Sequence, residues 1–223
     1  MLTGLTINGD RVLSAELNTP GKPTAVVIFS HGSGSGRNSI RNQAIAQILR
    51  DYGFATLLVD LLTQEEQESD ERTQRIACRV PGMKLNKFNI ELLTDRLIQI
   101  TQEIQFNAIT KGLKIVYFGS STGAAAALFA AADFRSVKAL IARGGRTDLV
   151  DKNTLLQVTS PCLFIAGSND KMVIQANKKT IIELASVKEK RLEIVKHASH
   201  LFEEDGKIEE VGVIAGRWLV ERF

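Results

Sequence analysis

The pentapeptide Gly119-Ser120-Ser121-Thr122-Gly123 follows the apolar run LKIVYF and precedes the alanine-rich AAAALFAAA. A G-x-S-x-G between a strand and a helix sets its central serine on a strained turn, with small neighbours that permit close backbone approach. Ser121 is therefore the candidate nucleophile of an acyl transfer, and the helix start beneath it favours developing negative charge. Gly- and Ser-rich helix starts without chemistry carry the same letters. The strand before and the helix after distinguish this one.

A serine of ordinary pKa needs a base within hydrogen-bond reach and a third group to orient that base. The chain holds three histidines, and two of them lie in His197-Ala198-Ser199-His200, after the last apolar run LEIV. His197 abuts that run, where a structural role is expected. His200 lies further past it and just before an acidic stretch, which makes it the better base. The acid should fall between Ser121 and His200, after a strand. Asp170, in Gly167-Ser168-Asn169-Asp170-Lys171 behind CLFIA, is preferred; Asp148, behind VKALI and the turn Arg143-Gly144-Gly145-Arg146, is its rival. Any Asp in a turn also has the plainer use of bonding its own backbone.

His31-Gly32-Ser33-Gly34-Ser35-Gly36-Arg37, behind AVVIF, supplies the small residues that let a backbone N–H approach a reacting carbonyl oxygen. Ser33 and Gly34 are the candidate donors of an oxyanion hole whose other half is the N–H of Thr122. His31 is expected to be structural. The same loop invites a dinucleotide reading, with Asp60 on a ribose, but its glycines at 32, 34 and 36 miss the G-x-G-x-x-G spacing. That reading also leaves Ser121, Asp170 and His200 without a purpose. Arg143 and Arg146 flank two glycines past a strand end, so their forked donors suit an anionic substrate group. Equally, one of them can pair with Asp148 and the turn be structural.

These residues need elements to hold them. Leu2–Ile7 and Val12–Leu17 read as strands joined by an Asn8-Gly9-Asp10 turn. Six further apolar runs, at 25–29, 55–59, 113–118, 137–141, 162–166 and 192–195, read as buried parallel strands. Between them, Ile40, Ala44, Ile48 and Leu49 behind Asn38 and Ser39 predict a capped helix. Ile90, Leu93, Leu97, Ile100 and Ile104 predict a second, and Ile208, Val211, Ala215 and Trp218 a C-terminal one. Thr63–Lys87 has no clear period and contains Pro81-Gly82, so it is expected to be a loop or small lid. Alternating strands and helices give the fold class α/β: a doubly wound, mostly parallel sheet of about eight strands flanked by helices, with a minimal cap.

The 223 residues fit one α/β domain spanning 1–223. With 44% hydrophobic and 24% charged residues, neither disorder nor a coiled coil fits. The net charge of +3 is spread without a run of five like charges, so no nucleic-acid partner is expected. Cys78 and Cys162 lack metal-type spacing, and no metal site or disulfide framework is expected. The start MLTGLTINGDR does not read as a signal peptide, and no apolar run reaches the ~20 residues that cross a bilayer. The expectation is a cytoplasmic protein, monomer or homodimer, without a membrane partner.

Together HGSGSGR (31–37), DLLT (60–63), FNIELL (88–93), GSSTG (119–123), RGGRTDL (143–149), GSND (167–170) and HASHLFEE (197–204) resemble the α/β-hydrolase superfamily, and within it the small dienelactone-hydrolase-like group. The pieces stand in family order and span residues 25–205. The resemblance implies a Ser121–Asp170–His200 triad, no cofactor, and a small-molecule acyl substrate. The nucleophile of true dienelactone hydrolases is cysteine, whereas position 121 is Ser, so a general ester, lactone or thioester is expected instead. Some members are fused to a phosphoribosyltransferase domain, which this length is not expected to accommodate. The reading from another class is a non-catalytic ligand-binding protein on the same fold.

Overall fold

The computed structural model describes residues 2–7, 11–77 and 85–223. Apolar β-rich runs form β1 (Leu2–Ile7), β2 (Arg11–Asn18), β3 (Ala25–Ser30), β4 (Ala55–Val59), β5 (Lys114–Ser120), β6 (Val137–Arg143), β7 (Cys162–Gly167) and β8 (Lys190–Val195). They make one sheet in the order β1-β2-β4-β3-β5-β6-β7-β8. β1 pairs antiparallel with β2, and β2 with β4; every later pairing is parallel. The doubly wound α/β sheet expected from the alternation of runs is the one observed.

Seven α-helices flank it: α1 (Ile40–Asp51), α2 (Gln64–Ala77), α3 (Ile90–Phe106), α4 (Thr122–Asp133), α5 (Lys152–Gln157), α6 (Lys171–Glu183) and α7 (Lys207–Val220). Successive strand residues point to opposite faces, which divides the core in two. Val26 and Ile28 pack with α3, α4 and α5, while Ala25, Val27 and Phe29 pack with α1 and α7. From neighbouring β3 and β5 the chain winds in opposite directions, to β4 and to β6. Open α/β sheets bind ligands at such a reversal, outside the carboxyl ends of the strands.

Two expectations change, and one helix was not anticipated. In the stretch expected to be a loop or small lid, Thr63–Lys87, α2 occupies Gln64–Ala77 and a 3-10 turn lies at Asn86–Phe88. This helix shows no apolar period, and among its described residues only Asp70 is buried. It is held at its start by a reciprocal cap, Glu66 N–H to Thr63 Oγ1 (3.2 Å) and Thr63 N–H to Glu66 Oε2 (2.8 Å). The buried face of α1 is Asn42, Ile45, Ala46 and Leu49, with Ile40 exposed, so the helix is rotated from the face that Ile40, Ala44 and Ile48 suggest. Finally, α6 escapes periodicity because two of its four buried residues, Asn177 and Thr180, are polar. Asn8-Gly9-Asp10, Cys78 and Pro81-Gly82 lie outside the described residues, whereas Cys162 is a buried free thiol. No helix among the described residues is long and apolar enough to cross a membrane.

Candidate active site

Ser121 stands between β5 and α4 at φ 51°, ψ −121°. Such a conformation is costly for a residue with a side chain, of order 1–3 kcal/mol, and persists only where the surroundings impose it. Here they do. The Ser121 N–H donates to the Arg143 carbonyl (3.1 Å), and the Ser121 carbonyl accepts from Arg146 N–H (3.0 Å). A Cβ on Gly119 would overlap the backbone of Ala124, and one on Gly123 the carbonyl of Ser30. Both glycines of the motif are thus required by close approach, and the serine hydroxyl is left without a hydrogen-bond partner among the described residues.

The Asp170 carboxylate follows β7 and caps α6, with Oδ1 accepting from Val173 N–H (3.2 Å). Its other oxygen accepts from His200 Nδ1 at 2.5 Å. An ionised carboxylate can only accept, so Nδ1 carries the proton and Nε2 of the neutral ring keeps its lone pair. His200, Asp170 and Ser121 line one cavity of about 460 Å³, with Arg146, Asp148, Met172, Val173 and Ala176 around them. Ser121 Oγ and His200 share its wall without a direct hydrogen bond; such bonds commonly tighten only when substrate is bound. The rivals are placed elsewhere or otherwise engaged. His197 is exposed in a left-handed turn (φ 61°) and donates its backbone N–H to Ser168 Oγ (2.8 Å). Asp148 reaches the cavity, but Arg146 holds it through Nε and Nη2, both at 2.8 Å. That fork keeps the Asp148 carboxyl below its ordinary pKa.

The glycine loop behind β3 approaches the elbow at Gly32, where a Cβ would stand 3.1 Å from both the Ser120 carbonyl oxygen and Ser121 Cβ. Thr122, first residue of α4, has an N–H without an intrahelical acceptor. Ser33 N–H donates to Thr122 Oγ1 (2.9 Å), while Gly34 N–H has no partner among the described residues. Of the two loop amides expected to hold an oxyanion, Gly34 is therefore the free one. Ser33 and Gly34 line not the cavity of Ser121 but a second one, of about 650 Å³, between this loop, Asp60 and α2. Asp60 is not available to a ribose. It accepts from Arg37 N–H (2.7 Å), pairs with Arg37 Nε (3.2 Å), and so closes the loop at Gly36.

His31 ties the loop to the end of β4. Its Nε2 accepts from Leu61 N–H and its Nδ1 lies on the Gly32 carbonyl, both at 3.0 Å. This requires the neutral ring, and burial holds its pKa below the ordinary 6.5. The unfolded chain takes up a proton near 6.5 that the folded chain resists. Stability should therefore fall as pH drops below about 6.5, with a limiting slope of about 1.4 kcal/mol per pH unit. Urea midpoints measured across that range should show the slope, and His31→Gln should flatten it. An equally steep slope in the variant would assign it to other groups.

The two arginines part company. Arg146 lines the cavity beside Ser121, paired with Asp148. Arg143 turns inward, 6% exposed, and lines neither cavity. The anionic subsite was expected of Arg143 or Arg146, and of the two only Arg146 is placed on a cavity wall. Sequence motifs also gave no hint of the wall built by α6, Met172, Val173 and Ala176, which is brought to the site because Asn177 Nδ2 donates to the Gly145 carbonyl (3.2 Å). Among the described residues, no group of three or more His, Cys, Asp or Glu is placed to hold a metal ion.

A family model described as "Dienelactone hydrolase family" matches residues 13–215. Two Mycobacterium tuberculosis proteins, from strains CDC 1551 and H37Rv, are 41% identical over 218 residues, covering 97% of this chain and 45% of theirs. The chain thus spans about half the length of these curated relatives, whose provisional name, phosphoribosyl transferase, belongs to the longer proteins. A solved dienelactone hydrolase from Anabaena variabilis is 42% identical with a TM-score of 0.88, covering 98% of this chain and 95% of that one. Est1E from Butyrivibrio proteoclasticus, at 15% identity and a TM-score of 0.74, covers 99% of this chain and 98% of its own, and shares the fold.

Proposed function

This chain belongs to the dienelactone hydrolase family, and from that premise we propose that it is a serine hydrolase cleaving a small or medium ester, lactone or thioester through an acyl-enzyme on Ser121. One observation carries the reading. The Asp170–His200 hydrogen bond fixes the imidazole tautomer that leaves Nε2 basic, on the wall of the cavity that Ser121 enters from a strained elbow.

In the proposed reaction, His200 Nε2 takes the Ser121 proton as Oγ attacks the acyl carbonyl. The carbonyl oxygen becomes an oxyanion, held by the N–H groups of Thr122 and Gly34, with Ser33 available once it releases Thr122 Oγ1. His200 returns the proton to the leaving oxygen or sulfur, and the acyl group stays on Ser121. Water then enters, gives a proton to His200, and attacks the acyl-enzyme; the proton returns to Ser121 as the acid departs. Asp170 keeps the ring oriented and stabilises its cation throughout. Every proton has a donor and an acceptor among these residues. Cavities of about 460 and 650 Å³ suit small or medium ligands. Serine in place of the family's cysteine favours esters beyond dienelactones.

A fluorophosphonate probe tests the reading. Wild-type protein should lose turnover on a short-chain ester panel as it gains one probe adduct, which peptide mapping should locate on Ser121. Turnover that survives complete labelling, or an adduct on Ser120 or Ser35, would overturn it.

A further inference from the structure

Arg143 is a buried cation with no acidic partner among the described residues. The residue is 6% exposed, and burial together with the neighbouring Arg41 lowers its pKa to about 10. Arg41 itself has a carboxylate, Glu203 at 3.0 Å, whereas Arg143 makes only neutral contacts and leaves Nη1 without a partner. Removing a charge from water without pairing it is costly. What the residue touches indicates what that cost supports. Nε donates to Ser120 Oγ (3.2 Å), immediately before the candidate nucleophile. Nη2 reaches Asn42 Oδ1 (3.4 Å), on the buried face of α1. The cation lies 6.0 Å from the ring centroid of Phe202, a fully buried anchor two residues after His200 with a left-handed backbone (φ 57°). The Arg143 carbonyl accepts the Ser121 N–H as well.

We propose that Arg143 is a positioning residue that joins the nucleophile elbow, α1 and the loop carrying His200, and thereby fixes Ser121 relative to its base. The proposal rests on the serine-hydrolase reading. It separates Arg143 from substrate binding, because the side chain lines neither cavity. A planar guanidinium fork suits this role, because one group bonds in two directions while its face meets an aromatic ring. Lysine offers the charge without the fork.

The test compares Arg143→Met and Arg143→Lys with wild type by steady-state kinetics on one ester, by fluorophosphonate labelling rate, and by melting temperature. An ångström of misplacement between reacting groups costs on the order of 100-fold. Arg143→Met should accordingly lower kcat and the labelling rate together by about 100-fold while KM stays within about 3-fold. Arg143→Lys should recover part of the loss. If Arg143→Met fails to fold, Ser120→Ala and Asn42→Ala each remove one arm and leave the cation in place. Each should lower kcat several-fold at nearly unchanged KM. Arg143→Met that folds with wild-type kcat, a change confined to KM, or wild-type kcat in both single-arm variants would overturn the proposal. A wild type that neither turns over esters nor takes the label would instead overturn the serine-hydrolase reading, and this proposal with it.

Discussion

Ser121→Ala is expected to abolish ester hydrolysis and fluorophosphonate labelling while leaving the protein folded. The hydroxyl has no hydrogen-bond partner among the described residues, so its loss removes no contact. The backbone strain at φ 51° remains with alanine, because the Cβ is still present. Melting temperature should therefore stay near the wild-type value. Ser121→Gly should stabilise the fold by an amount on the order of 1 kcal/mol, and so raise the melting temperature, since glycine adopts this conformation without the steric penalty. In a nucleophile–base pair that works as a unit, loss of the nucleophile costs about 10⁴- to 10⁶-fold in kcat. Stopped turnover with a preserved melting curve isolates chemistry from folding. Unchanged turnover in the alanine variant would move the nucleophile elsewhere.

The second large effect concerns the base and its orienting acid. His200→Ala should cost kcat about as much as Ser121→Ala, and combining the two should add little, since each already removes the same step. Asp170→Asn should lower kcat by about 10²- to 10⁴-fold, because an amide nitrogen facing Nδ1 favours the wrong tautomer. Asparagine caps helices as well as aspartate does, so α6 should survive the exchange. Asp148→Asn breaks only a surface ion pair with Arg146 and should change kcat by less than about tenfold. His197→Ala should be milder still. If Asp148→Asn proves the more damaging at equal stability, the orienting acid lies after β6.

Residues whose structural consequence is local were legible in the sequence. Gly119 and Gly123 announce the elbow because only a missing Cβ allows the approach to Ala124 and Ser30. The even 3,4 spacing from Ile90 to Ile104 announces α3 because those side chains meet one continuous core. Asp170 and His200 were legible as members of loops, while their 2.5 Å contact depends on how β7 and β8 pair. What escaped has polar or exposed packing. α2 presents too few apolar residues for periodicity to register, although Thr63-Gln64-Glu65-Glu66 spells a reciprocal cap, and the buried face of α6 is half polar. Arg143 misled for a related reason: arginine suggests a surface, and only the register that sets it opposite Ser120 turns it inward.

The exposed helix α2 has one more consequence. Among its described residues only Asp70 is buried, and that carboxylate accepts the N–H groups of Asn86 (2.8 Å) and Lys87 (2.9 Å). The helix joins the body through Arg96, which meets Glu66 at 2.6 Å. Yet Gln67, Glu71 and Gln74 form one wall of the larger cavity. A segment that shapes a cavity wall while its described residues carry almost none of the core is cheap to rewrite. Randomised or grafted versions of α2, with Thr63, Glu66 and Asp70 kept, would reshape that wall while leaving the buried core alone, so the lining of this cavity and the thermal robustness of the scaffold are separable traits.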